Sequence, residues 1–153
     1  MISKSPIADL TDHLGYRLRQ VSNQVSTAFA RRIEGEGVTV AEWVVLRILY
    51  DTKGLAPSRL AARLGMTRGA ISKLADRLLA KGLVARTDSP DDARAHTLAL
   101  SSRGRHLVPR LAALADANDT AFFGVLDAGE RARLEALLAK LVEQHGLQAP
   151  PLE

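Results

Sequence analysis

The chain has 153 residues, of which 46% are hydrophobic, 25% charged and 4% aromatic, and its formal net charge is +4. The absence of cysteine excludes disulfides, cysteine–zinc sites and cysteine nucleophiles. No apolar run reaches the roughly 18 residues that a membrane helix needs, and the N-terminus does not resemble a signal peptide. We therefore expect a cytoplasmic protein, and its length suits either one domain or one domain with an attached oligomerisation element.

The charge is unevenly distributed along the chain. Between Lys53 and Arg105 there are eleven basic and four acidic residues, a net charge of +7. The rest of the chain has ten basic and thirteen acidic residues, a net charge of −3. A basic centre between mildly acidic ends favours contact with a polyanion, and a solvated basic face is the alternative.

Apolar periodicity predicts a long first helix over residues 7–34. A single stripe of apolar side chains recurs every three or four residues along its whole length. Pro6 suits the first turn of this helix, and Gly35 and Gly37 end it. The stripe consists of Leu10, Leu14, Leu18, Val21, Val25, Phe29 and Ile33.

A second helix is predicted to begin at Thr39. Thr39 and Glu42 have the spacing of a capping box, in which the hydroxyl and the carboxylate each accept a free backbone N–H. Apolar residues then cover the helix nearly all round, so we expect it to be buried. The turn formed by residues 51–54 ends it.

The next two helices have the size of a helix-turn-helix. Pro57 opens a short helix that Gly65 closes, and Thr67 caps a helix over residues 68–81, followed by Gly82. In such motifs the first residues of the second helix reach base edges in the major groove. A plain pair of helices in an all-helical core is the alternative. The candidate DNA-contacting residues are Thr67, Arg68, Gly69, Ser72, Lys73 and Arg77.

A β-hairpin is predicted directly after this helix. Residues 83–86 can form a short strand, residues 87–92 have turn composition, and residues 96–100 alternate as a return strand. A hairpin in this position is a wing, and Arg94 near its tip suits insertion into a minor groove. Arg86 adds positive charge and Asp92 could pair with Arg94, but a solvated acidic loop is the alternative.

Two further helices complete the chain. Ser101 or Ser102 caps a helix that extends to about Leu126. Asp127 and Glu130 form another capping box that begins the last helix, which carries an apolar stripe to Val142.

Residues 40–105 resemble the MarR family of bacterial and archaeal regulators. Residues 60–73 are similar to its helix-turn-helix, and residues 78–84 are similar to its exit from the recognition helix. Residues 92–101 match its wing pattern of Asp-x-Arg, three residues, and Leu-x-Leu followed by Ser or Thr. This last match is the most specific, and the order of the three makes chance matches improbable.

The resemblance implies a mainly α fold with a small β wing. A winged helix-turn-helix domain (36–101) would be flanked by helical dimerisation regions (1–35 and 102–153). The protein would be an obligate homodimer that binds double-stranded DNA at a pseudo-palindromic operator. It would regulate transcription, most simply as a repressor, with Arg94 in the flanking minor groove and Asp92 holding it.

Members of this family commonly respond to small aromatic or phenolic ligands, which bind between the dimerisation helices and the DNA-binding lobe. The candidate effector cleft residues in this sequence are Tyr16, Arg17, Phe29 and Trp43. Ordinary core packing is the alternative for Phe29 and Trp43.

The sequence lacks the motifs of an enzyme or a metal protein. Its four histidines are scattered without ligand spacing, and there is no phosphate-binding loop or nucleophile motif. We therefore predict no cofactor, no metal and no catalysis. The alternatives to a specific regulator are an architectural protein that binds DNA without sequence preference, and a helical protein-interaction module.

Overall fold

The computed structural model describes residues 6–88 and 96–147. In these ranges the fold is mainly helical, with one two-stranded antiparallel sheet, as predicted. The elements are helices α1 (Leu14–Glu34), α2 (Val40–Tyr50), α3 (Pro57–Leu64), α4 (Arg68–Ala80), α5 (Ser102–Phe123) and α6 (Ala128–Gln144), and strands β1 (Val84–Asp88) and β2 (His96–Leu100).

The prediction that the first helix begins near residue 7 was wrong. A separate 3-10 turn, Leu10–Asp12, precedes α1, and the carboxylate of Asp12 accepts the backbone N–H of Asp9 at 3.0 Å. His13 then takes an extended backbone conformation, with φ −96° and ψ 124°, which interrupts the helical hydrogen bonding. The apolar stripe continues across this break, so periodicity alone could not reveal it.

Helix α2 forms the centre of the hydrophobic core. Its buried residues Val45, Leu46 and Leu49 belong to a cluster that also includes residues of α1, α3, α4, α5 and both strands. The hydroxyl of Thr39 caps α2 by accepting the N–H of Glu42 at 3.2 Å. The predicted reciprocal half of this capping box is absent, because the Glu42 carboxylate reaches Lys81 instead, at 2.7 Å.

The two strands pair in antiparallel register from Val84 opposite Leu100 to Asp88 opposite His96. Strand β1 therefore includes Thr87 and Asp88, which were predicted to lie in the turn. Leu55 extends the sheet, since its backbone N–H and C=O both pair with the backbone of Leu98, at 2.9 and 2.8 Å. These bonds join the base of the hairpin to the loop between α2 and α3.

Helices α5 and α6 begin at side-chain caps, as expected. The hydroxyl of Ser101 accepts the N–H of Gly104 at 3.0 Å, and α5 then continues through Pro109. Asp127 and Glu130 form the predicted capping box. The backbone N–H of Glu130 lowers the pKa of Asp127, so this cap stabilises the fold above the usual aspartate range and weakens as the pH falls through the lowered pKa.

Helices α1 and α5 are joined by a buried amide. The Nδ2 of Asn118 donates to the carbonyl of Val25 at 3.1 Å, and its Oδ1 accepts from Arg32 Nε at 3.2 Å. Helix α6, in contrast, buries no residue in this single chain. No helix in the described ranges is long and apolar enough to span a membrane.

Many large apolar side chains on α1 and α6 remain exposed. They line an open groove between the N-terminal half of α1, the end of α5 and α6. We call this surface the apolar face. It comprises five residues that line the groove, Leu14, Leu18, Val21, Leu134 and Leu138, and the exposed Leu141 and Val142 further along α6.

Candidate DNA-binding surface

Helices α3 and α4 form a helix-turn-helix whose turn is fixed by local chemistry. Gly65 ends α3 with φ +61°, a left-handed conformation that favours glycine. The hydroxyl of Thr67 then accepts the N–H of Ala70 at 3.1 Å and caps α4. One face of α4 is buried in the core through Ile71, Leu74, Ala75 and Leu78.

The opposite face of α4 is exposed and basic. All six candidate residues predicted on it are exposed to solvent. Within the described part of the chain, no carboxylate lies within ion-pair distance of Arg68 or Lys73. Their N–H donors are therefore available for phosphates or for guanine O6 and N7.

Arg77, which was predicted to face DNA, is only partly available. Its Nε lies 3.8 Å from Oε1 of the buried Glu42, although its side chain remains 52% exposed. Lys81, one turn further on, donates to Oε2 of the same carboxylate. Sequence reasoning missed this cluster because it assigned Glu42 to a helix cap. The one available signal was an acidic residue near the start of a helix whose side chains are mostly apolar.

The wing is described at its base. Arg86 is exposed on β1, and its Nη2 lies 3.9 Å from the carboxylate of Asp76 on α4, so a weak surface ion pair links strand and helix. Asp92 and Arg94, the residues predicted at the tip, lie outside the described residues. On the near side of the tip, Asp88 of β1 pairs with His96 of β2, which is the last pair of the described ladder.

Two exposed basic residues on α3, Arg59 and Arg63, were not predicted from the sequence as DNA-contacting residues. They belong to the first helix of the motif, which crosses the DNA backbone in helix-turn-helix complexes. The uneven charge distribution already included both residues. The burial of Leu60, Ala61 and Leu64, which the sequence places on one face, leaves Arg59 and Arg63 on the solvated side of α3.

The four candidate effector residues lie in two separate places in the single chain. Phe29 and Trp43 contact each other edge to face, with ring centroids 6.2 Å apart, and both pack against the core. Arg17 lies twelve residues before Phe29 on the same helix, about 18 Å along its axis. Arg17 borders the apolar face, and the neighbouring Tyr16 is exposed.

A separate cavity of about 700 Å³ lies where α1, the α1–α2 turn and α4 meet. Its charged lining residues are Arg31, Glu34, Arg77 and Lys81. The cavity therefore touches both the long N-terminal helix and the recognition helix.

In the described residues, no group of three or more histidine, aspartate or glutamate side chains could hold a metal ion.

Comparisons with known proteins agree with this geometry. The MarR family matches residues 36–95. The Mycobacterium tuberculosis protein "HTH-type transcriptional repressor Rv2887" is 30% identical over 128 residues, which cover 84% of this chain and 92% of that protein.

Two solved structures each have a TM-score of 0.78. A cysteine-to-serine mutant of MarR from Escherichia coli, complexed with operator DNA, is 26% identical and covers 88% of this chain and 99% of its own. Bordetella bronchiseptica BpsR, whose DNA binding is regulated by 6-hydroxynicotinic acid, is 25% identical and covers 88% and 96%. The chain belongs to the MarR family of winged-helix transcriptional regulators, which are not enzymes.

Proposed function

We propose that the protein is a homodimeric repressor that recognises a pseudo-palindromic operator in double-stranded DNA. The observation that carries this proposal is the exposed face of α4, where Arg68 and Lys73 have no acidic partner among the described residues. Because the other face of α4 is fixed in the core, the helix can present these two basic side chains to DNA in a defined orientation. The operator complex of the E. coli relative and the repressor function named for the M. tuberculosis relative support the proposal.

The dimer would use the apolar face. A monomer that exposes this many leucine and valine side chains along two helices has an interaction surface that association would bury. Residues 1–35 and 102–153 would then form the dimerisation region, and residues 36–101 would form the DNA-binding domain. A two-fold axis would place the two α4 helices in successive major grooves.

Lys73→Ala should weaken operator binding by about 1–3 kcal/mol, because it removes a base-edge or phosphate contact from the centre of α4. The measurement is a fluorescence-anisotropy titration of an operator duplex. Lys140→Ala on α6 is the matched control, since it removes the same charge from an exposed helical position outside the motif. Equal losses in the two variants would mean that α4 does not read the operator.

Arg94→Ala should also weaken operator binding by about 1–3 kcal/mol if this arginine enters the minor groove. Asp92 would hold it, so Asp92→Asn should cause a smaller loss in the same direction. Arg133→Ala, at an exposed position on α6, controls for the loss of one positive charge. An Arg94→Ala protein with wild-type affinity would exclude the proposed wing contact.

A small aromatic effector would release the repressor from DNA. The cavity at the junction of α1 and α4 supports this proposal, because a ligand there would touch Arg77 of the recognition helix and Lys81 at its C-cap. The regulation of BpsR by 6-hydroxynicotinic acid adds a related example. The test adds aromatic acids to the preformed complex and follows anisotropy. If none of the aromatic acids dissociates the complex, the protein binds DNA constitutively with respect to these ligands.

A further inference from the structure

Glu42 is the one acidic side chain that is buried in the described residues, with 1% of its surface exposed. Burying a carboxylate is costly unless its oxygens are paired. Here Oε1 accepts from the hydroxyl of Thr39 at 3.2 Å and lies 3.8 Å from Arg77 Nε, while Oε2 accepts from Lys81 Nζ at 2.7 Å. Both cations belong to the recognition helix or its C-cap, so the carboxylate connects α2 to α4.

Lys81 extends this connection to two other parts of the chain. Its Nζ also donates to the carbonyl of Gly37 in the α1–α2 turn, at 2.8 Å. Its own carbonyl accepts from Arg103 Nη1 on α5, at 3.1 Å. The C-terminal end of α4 is therefore held by polar contacts to the α1–α2 turn, α2 and α5, all of which converge on one residue.

We propose that Glu42 is a positioning residue for DNA recognition. Its carboxylate holds the end of α4 against the α1–α2 turn and so sets the angle at which the recognition helix meets the operator. This inference rests on the proposed operator-binding function and assigns Glu42 no contact with DNA. The inference also explains why the Glu42 carboxylate does not make the predicted capping-box bond to the backbone N–H of Thr39.

Positioning and charge make opposite predictions for the loss of this carboxylate. Glu42→Gln removes one negative charge beside two cations, which leaves Arg77 and Lys81 freer to meet phosphates. Binding to arbitrary DNA depends mainly on phosphate neutralisation and should therefore stay equal or become stronger. Binding to the operator requires defined contacts between α4 and base edges, and it should weaken as the helix loses its fixed orientation.

The test compares wild type and Glu42→Gln for an operator duplex and a shuffled duplex at two salt concentrations. We expect operator affinity to fall about tenfold, with no loss of affinity for the shuffled duplex. Glu36→Gln is the matched control: it removes the same charge from the same residue type six positions away, and its partner at 2.8 Å is Arg110 on α5. We expect it to change neither affinity.

Three results would overturn the proposal: a parallel fall in both affinities, which indicates general destabilisation, a parallel rise, which indicates charge alone, or no change. If Glu42→Gln does not fold, Lys81→Gln breaks the same pair from its 38% exposed side. The operator-to-shuffled affinity ratio is then the readout. A ratio equal to that of wild type would contradict the proposal.

Hydrogen exchange of the free protein separates this inference from the proposed function. In Glu42→Gln we expect faster amide exchange in residues 35–42 and 77–83, with no change in residues 128–144. If wild type has no operator preference, the proposed function fails, and exchange still tests whether Glu42 holds α4. Unchanged exchange in both segments would show that the carboxylate does not hold the helix.

Discussion

Leu138→Asp should convert the proposed homodimer to a monomer and weaken operator binding by about 10²–10⁴-fold. That range is the usual gain when two linked modules bind adjacent half-sites. Leu138 lies on the apolar face and is 41% exposed in the single chain. An aspartate is therefore tolerated in the monomer, whereas a dimer would have to bury an unpaired carboxylate.

Light scattering during size-exclusion chromatography measures the molar mass, and anisotropy measures the affinity. Ala62→Asp is the control for association, because it adds the same charge at an exposed position on α3, away from the apolar face. Leu138→Asp protein that still runs as a dimer would mean that association uses another surface. A monomer that keeps full operator affinity would contradict two-fold recognition.

Gly104→Ala should lower the free energy of unfolding by about 3 kcal/mol, the upper part of the range for overpacked cores. Gly104 is buried in the first turn of α5, and an added Cβ would lie 2.0 Å from the carbonyl oxygen of Leu83. That carbonyl cannot easily move, since it accepts the N–H of Ser101 at 3.1 Å. The methyl group must therefore displace α5 from the base of the wing.

Urea denaturation at a fixed protomer concentration measures this loss. Gly69→Ala is the matched control with the opposite expected sign. Gly69 lies in α4, and an added Cβ would meet no atom within 4 Å beyond its chain neighbours and the adjacent backbone of its own helix, so alanine should stabilise the helix by up to about 1 kcal/mol. If Gly104→Ala were as stable as wild type, the close packing of α5 against Leu83 would be wrong.

Local chemistry explains why much of the fold was predictable. The caps at Thr39, Thr67 and Asp127 and the turn at Gly65 each depend on residues within a few positions, and each begins or ends its helix as expected. The exposed face of α4 follows from helical period once its buried face is known. A helical period could not, however, detect the extended residue His13 that interrupts the first predicted helix.

Tertiary pairing explains the features that the sequence did not reveal. Thr87 and Asp88 have turn composition, yet their partners on β2 draw them into the ladder. Glu42 matched a local cap, but Lys81, 39 positions away, offered its carboxylate a charged partner. Arg77 is partly exposed to solvent and also lies near that same carboxylate. A helical projection of α4 alone does not show this contact.

The most direct test of the account is an anisotropy titration of the wild-type protein with two duplexes at two salt concentrations. One duplex comes from the region upstream of its own gene, and the other is a shuffled sequence of the same composition. We predict a preference of about 10³-fold or more for the native duplex at moderate salt. Equal and steeply salt-dependent binding to both duplexes would contradict operator-specific recognition, because only phosphate contacts would then be present.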